Sequence, residues 1–284
     1  MIKLYYRLTK PGIIFGNGMT ALAGFFLASR GHINLIQLLA TFIGISLGIA
    51  SACVFNNYVD RGIDSKMERT KNRALVTGAV SSPAAIIFAS ILGLIGVIIL
   101  YIFTNITTLL VGAVGFLFYE IFYGISKRSS IWSTVIGSVS GAMPPVAGYT
   151  AVTGNIDLGA VILFFILVFW QIPHFYSIAI YRLKDYKKAG IPVLPVVKGI
   201  FVTKVQILFY TIGFAIVTTS LSFTGYTGKT YLIVMSIFCL VWVAYAAKGF
   251  SVKNTPHWAR RMFVLSLIIN VVVCIMITTN SLFV

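Results

Sequence analysis

Long apolar runs alternate with short polar connectors along nearly the whole chain. Runs of spanning length fall at about 11–29, 35–58, 84–104, 106–125, 131–150, 158–180, 203–223, 230–249 and 262–283. Each approaches the roughly 20 residues that an α-helix needs to cross a bilayer core, so the pattern predicts nine transmembrane helices. Only Thr104-Asn105 parts the third run from the fourth, which leaves a tight re-entrant pair open. No long polar linker interrupts the series. The expected architecture is therefore all-α, a polytopic membrane helix bundle forming one integral-membrane domain over residues 1–284.

The connectors orient that bundle. Of the 22 Lys and Arg, 20 fall in the N-terminal segment and the even-numbered connectors, while Arg30 and Lys229 stand alone on the other side. The positive-inside rule then places the N-terminus in the cytoplasm, and nine crossings place the C-terminus outside. An even number of helices would scramble this alternation. Composition agrees, with 58% hydrophobic and 10% charged residues, far from the soluble average. A net charge of +16 would suggest nucleic acid in a soluble protein. Between spans, the same charge sets topology and attracts membrane lipid or an anionic substrate, so no nucleic-acid partner is expected. Cys53, Cys239 and Cys274 lie in or beside apolar runs without metal or disulfide spacing and are read as packing residues. Lys3, Arg7 and Lys10 precede the first run, but no Ala-x-Ala site follows it, so the first helix is expected to be retained.

Candidate chemistry concentrates at Asn56 to Arg73. Asn56, Asp60, Asp64 and Glu68 recur every four residues, so a helix continuing past its apolar part would carry an amide and three carboxylates on one face. Such a face suits Mg²⁺, a hard cation that takes carboxylate oxygens, several waters and substrate phosphates. Arg61, Lys66, Arg69, Lys71 and Arg73 are the cations at hand for those phosphates. A charged run after an apolar segment is ordinarily a solvated anchor. Here, however, it holds three of the chain's six acidic residues, and solvation alone accounts poorly for that concentration at helical spacing.

A second constellation runs from Trp170-Gln171-Ile172-Pro173-His174 to Tyr181, Asp185 and Lys188. Pro173 inside an apolar run frees a carbonyl, as happens where a helix lines a cavity. His174 beside it reads equally as a residue paired within the bundle or as a substrate contact, either a proton acceptor or an axial ligand to an iron porphyrin. If the helix runs on, Tyr181, Asp185 and Lys188 share a face and bring a second carboxylate to the same membrane surface. Asp60, Asp64, Glu68 and Asp185 all fall on the cytoplasmic side of this scheme, with Asp157 outside. Two signals are weaker. Gly141-Ala142-Met143-Pro144-Pro145 breaks the fifth run as a packing kink or a pocket wall. Tyr119, Tyr123, Lys127 and Arg128, like Trp258, Arg260 and Arg261, read as interfacial anchors, with Lys127 and Arg128 also placed to reach a diphosphate. No P-loop, dinucleotide fingerprint or zincin motif is present.

Two acidic faces, surrounding cations and an apolar bundle describe a substrate with a diphosphate at one end and a hydrocarbon at the other, as in an isoprenyl diphosphate. Metal and cations would stabilise the departing pyrophosphate, and the helices would shield the allylic cation from water. At this point the motifs carry a resemblance. Asn56-x-x-x-Asp60-x-x-x-Asp64 resembles the first aspartate-rich motif of the UbiA-type intramembrane prenyltransferases. Longer stretches, Thr9-Lys10-Pro11-Gly12-Ile13, Cys53 to Tyr58, Asp64 to Thr70, Gly141 to Pro145, Trp170 to His174 and Gly190 to Val197, resemble the branch of that family that farnesylates protohaem.

The resemblance implies a nine-helix bundle in the bacterial cytoplasmic membrane with its cavity on the cytoplasmic side. It implies conversion of haem b, farnesyl diphosphate and water to haem O and pyrophosphate, with Mg²⁺ as cofactor and haem b as a substrate. A downstream haem-modifying enzyme or terminal oxidase is the implied protein partner. Metal and diphosphate roles carry to Asn56, Asp60 and Asp64, and diphosphate contacts to Lys66, Arg69 and Arg73. Where the superfamily often shows a second Asp-x-x-x-Asp, position 181 is Tyr, leaving Asp185 as the one carboxylate of that motif. Residue chemistry alone leaves two other readings open, a prenyltransferase for a different aromatic or tetrapyrrole acceptor and a membrane transporter. The choice of haem rests on the resemblance.

Overall fold

The structure is a computed structural model and describes residues 1–282, so the last predicted run, 262–283, extends one residue outside the described part. A short α1 (Ile2–Leu8), which hydropathy does not signal, precedes α2 (Pro11–Ser29), α3 (Leu35–Asp64) and α4 (Ser82–Phe103). Next come α5 (Ile106–Leu117), a π-helical turn (Phe118–Tyr123), α6 (Gly124–Ser129), α7 (Ser133–Thr153) and α8 (Leu158–Tyr181). The chain closes with short α9 (Leu183–Ala189) and α10 (Leu194–Val197), then α11 (Gly199–Phe223), α12 (Lys229–Lys248) and α13 (Thr255–Leu282).

Polar residues between the apolar runs start these helices. The side chains of Asn34, Ser81, Asn105 and Asp157 accept hydrogen bonds from otherwise orphaned backbone N–H groups in the first turns of α3, α4, α5 and α8. Asn105 also donates to the carbonyl oxygens of Thr150 and Ala151, tying the tight α4–α5 turn to the end of α7.

Among the described residues, eight helices are long and apolar enough to cross a membrane, α5 to α6 counting as one helix of 24 residues. The one predicted span outside that set is α7, a 21-residue helix rich in Gly, Ser and Thr. Its position explains its composition. It packs against α2, α5 and α8, and its second half is almost wholly buried, so little of it need be apolar enough to face lipid. Gly24 of α2 lies against the carbonyl of Pro145, and Gly148 of α7 lies against the carbonyl of Ala21. The Gly-Ala-Met-Pro-Pro stretch is thus a helix-packing surface. By contrast, α4 shows Ile87, Leu94, Tyr101 and Ile102 to the surroundings, the apolar exterior of a bundle whose solvent is lipid.

Two helix ends differ from expectation. Helix α3 reaches Asp64 but stops there, and residues 65–81 fold as successive turns, so Glu68 leaves the acidic face. The chain also breaks at Arg182, between α8 and α9, so Tyr181 and Asp185 do not lie on one continuous helix.

Candidate active site

The last turns of α3 bury Asn56, Asn57, Asp60 and Asp64, with Asp60 only 1% exposed. Charges in a buried place need partners, and this end of the bundle supplies them from four directions. Lys127 of α6 donates to Asp60 Oδ2 at 2.5 Å, and Arg128 lies 3.6 Å from Oδ1. Arg73, from the loop after α3, donates to Asp64 Oδ2 at 2.5 Å. Lys10, at the start of α2, donates from Nζ to Asn56 Oδ1 at 2.9 Å. The side-chain amide of Asn57 donates to the carbonyl of Leu8, fixing the α1 end against α3.

The loop explains why α3 ends. Thr70 Oγ1 donates to the carbonyl of Asp64, Met67 is buried in a small apolar cluster with Ala179, Ile191 and Val193, and Arg73 returns to Asp64. These contacts outweigh continuing the helix by one turn. Glu68 instead points outward and pairs with Lys71 and with Lys188 of α9, which hold its carboxyl below the usual range. It links two surface segments and does not join the α3 carboxylates. Lys66 and Arg69 are exposed beside it.

Two residues of this centre escaped the sequence reading. Lys10 looks like a topological charge, yet it is drawn into the site on a left-handed backbone, φ 53° and ψ 66°, and burial lowers its ammonium to about 8. Among the described residues its ammonium hydrogen-bonds the neutral amide of Asn56 alone. Glu120, one of the chain's six acids, lies in the π-helical turn, which packs against α3, and its Oε1 is buried. The helical spacing of α3 carries no signal for either; the apolar setting of Glu120 was the available hint.

The second constellation is assembled differently from the first. Asp185 faces Arg182 at 3.9 Å, Arg182 lies over the Tyr181 ring, and Lys188 is taken by Glu68. His174 sits in the seam between α8 and α13, with Nδ1 2.7 Å from Ser266 Oγ and its ring stacked 4.8 Å from Trp170. Trp170 itself donates to the carbonyl of Ser266. Phe263 of α13 packs on both His174 and Tyr181. Helix α13 also shows an open groove of about 300 Å³ lined by His257, Arg260, Arg261, Val264, Leu265 and Ile268.

The profile of the UbiA prenyltransferase family matches residues 17–268, which include the whole α3 face, Lys127 and the α8–α9 segment. The chain belongs to the UbiA prenyltransferase family. It is 49% identical over 269 residues to the protoheme IX farnesyltransferase of Yersinia pseudotuberculosis serotype O:1b (strain IP 31758), an alignment covering 94% of this chain and 91% of that protein. Among solved structures, a digeranylgeranylglyceryl phosphate synthase superposes with a TM-score of 0.83 at 20% identity, over 100% of this chain and 99% of the other. A UbiA homolog from Archaeoglobus fulgidus bound to GPP and Mg²⁺ gives 0.74 at 13% identity, over 97% and 99%. At such identities the two structures establish the UbiA fold.

The α3 face fits a divalent cation on its own geometry. Asp60 Oδ1 is buried without a hydrogen-bond partner, an orphan acceptor that a cation would satisfy. Among the described residues no three His, Cys, Asp or Glu side chains converge as a complete cage. A cation held here therefore draws on Asp60 and Asp64, with Asn56, water and substrate oxygens completing its shell, as Mg²⁺ prefers.

Proposed function

We propose that the chain is a protohaem IX farnesyltransferase, a Mg²⁺-dependent transferase that converts haem b, farnesyl diphosphate and water to haem O and pyrophosphate in haem biosynthesis. The observation that carries the chemistry is the buried α3 face, where Asn56, Asp60 and Asp64 stand among Lys10, Arg73, Lys127 and Arg128. The choice of haem as acceptor follows the 49% identity to a protoheme IX farnesyltransferase.

Asn56, Asp60 and Asp64 would hold the metal, and Mg²⁺, when bound, would supply the charge that neutralises the diphosphate as the allylic C–O bond ionises. Lys10, Arg73 and Lys127, which pair here with Asn56, Asp64 and Asp60, would turn to the phosphate oxygens of a bound diphosphate. Lys66, Arg69 and Arg128 add positive potential at the rim. Asp185 and Lys188 border the same surface from α9, and Tyr181 and His174 form with Phe263 an aromatic wall for the macrocycle. The chain crosses the bacterial cytoplasmic membrane nine times with its N-terminus and active site on the cytoplasmic side, in agreement with the segregation of 20 of 22 basic residues. Its product is passed to a haem-modifying enzyme or a terminal oxidase.

Mass spectrometry of haem extracted after incubating purified protein with haem b, farnesyl diphosphate and Mg²⁺ tests this reading. Haem O forms with the wild type, disappears with EDTA and falls roughly a hundredfold or more in Asp64→Ala. Folded protein that binds farnesyl diphosphate but leaves haem b unchanged rejects the acceptor.

A further inference from the structure

Five of the six acidic residues have a hydrogen-bond or ion-pair partner: Asp60 with Lys127, Asp64 with Arg73, Glu68 with Lys71 and Lys188, Asp157 with Tyr149 and the α8 backbone, and Asp185 with Arg182. Among the described residues Glu120 finds neither, although its Oε1 is buried. It sits inside an apolar helix, on a π-helical turn, a widened backbone that occurs mostly as isolated turns and frequently at functional sites. The π-helical turn packs against α3, and Lys127, on the helix that continues from that turn, reaches Asp60. Two carboxylates brought together in a poorly solvated region repel each other, and that repulsion grows as the local dielectric falls. Each also keeps one buried oxygen without a hydrogen bond, Asp60 Oδ1 and Glu120 Oε1. Nearby cations are already committed, Lys127 and Arg128 to Asp60, Arg73 to Asp64 and Lys10 to Asn56.

A positive charge between the two carboxylates resolves both the repulsion and the missing hydrogen bonds. No three His, Cys, Asp or Glu side chains among the described residues converge on one point, an arrangement that favours contact through water over direct ligation by a third carboxylate. A hydrated divalent ion fits, since Mg²⁺ keeps several of its waters and those waters donate hydrogen bonds. We propose that Glu120 is a positioning residue of the cation site, accepting hydrogen bonds from waters on the ion that Asp60 and Asp64 ligate. This rests on the reading of the α3 face as the metal site. It adds a negative charge from the π-helical turn between α5 and α6.

Mn²⁺ titration of the full-length protein in detergent, with free Mn²⁺ read by electron paramagnetic resonance, tests the proposal. The wild type binds saturably and Asp60→Asn does not. Glu120→Gln weakens Mn²⁺ affinity about tenfold, the usual lower size of an outer-ligand effect, and Glu120→Asp recovers part of it. Thermal unfolding without metal separates this from a structural role. There Glu120→Gln is as stable as the wild type or more so, because it removes a carboxylate whose buried oxygen has no hydrogen bond. Unchanged Mn²⁺ affinity in Glu120→Gln, with loss in Asp60→Asn, overturns the role of Glu120 and leaves the α3 site standing. No saturable Mn²⁺ binding by the wild type overturns both.

Discussion

Lys10 shows how one residue can acquire its role from its surroundings. A left-handed backbone at a residue other than glycine costs of order 1–3 kcal/mol and persists only where the fold imposes it. Here the strain accompanies delivery of the ammonium to Asn56 Oδ1 at the start of α2. Arg73 and Lys127 ion-pair with carboxylates, whereas Lys10 hydrogen-bonds the neutral amide of Asn56, so its turn toward an incoming diphosphate leaves no carboxylate unpaired. Lys10→Met is expected to lower kcat/KM for farnesyl diphosphate about tenfold to a hundredfold, the worth of one charge-assisted hydrogen bond. Steady-state kinetics at saturating haem b checks this, and an unchanged kcat/KM would show that Lys10 only anchors the helix. The α3 acids were legible beforehand because their spacing is local. Lys10 and Glu120 were not, because they enter the site from residues 46 and 60 positions away from Asn56 and Asp60, and no local pattern records such an approach.

At the scale of elements, α2 and α7 approach each other closely through their glycines. A Cβ added at Gly148 would fall inside the contact distance of the Ala21 carbonyl oxygen, and one at Gly24 would meet that of Pro145. Backbone atoms cannot rotate away, so the helices themselves must part. Gly148→Ala should therefore destabilise the protein by roughly 1–3 kcal/mol, as overpacking does elsewhere, and lower the melting temperature in detergent. A matched Gly112→Ala, where open space surrounds the added carbon, should leave it unchanged. Helix positions were legible from hydropathy to within several residues. Helix ends were less so. Helix α3 stops at Asp64 because Thr70, Met67 and Arg73 are recruited by contacts at that end, and the break at Arg182 sends Asp185 back toward its own neighbour.

For the molecule as a whole, the asymmetry of charge makes a prediction about placement. With Cys53, Cys239 and Cys274 all buried, single cysteines introduced at exposed loops report topology with little background. Asn155→Cys should react with a membrane-impermeant maleimide in intact cells, whereas Asn72→Cys should react only after permeabilisation. The reverse pattern would invert the bundle and move the α3 face to the outside. Helix α7 matters for the count behind this expectation. Its interior position relaxes the demand for apolar side chains, so composition understates a helix whose length matches its neighbours.

The sequence by itself determined the class of molecule, the number and approximate limits of the long helices, and the acidic spacing on α3, because hydrophobic length and helical period are properties of consecutive residues. Tertiary structure decided which acids face one another, which cations answer them, that Glu68 leaves the site, and that Lys10 and Glu120 enter it. Those outcomes depend on side chains from distant helices meeting in a poorly solvated space, where each buried charge must find a partner or bear the cost of lacking one.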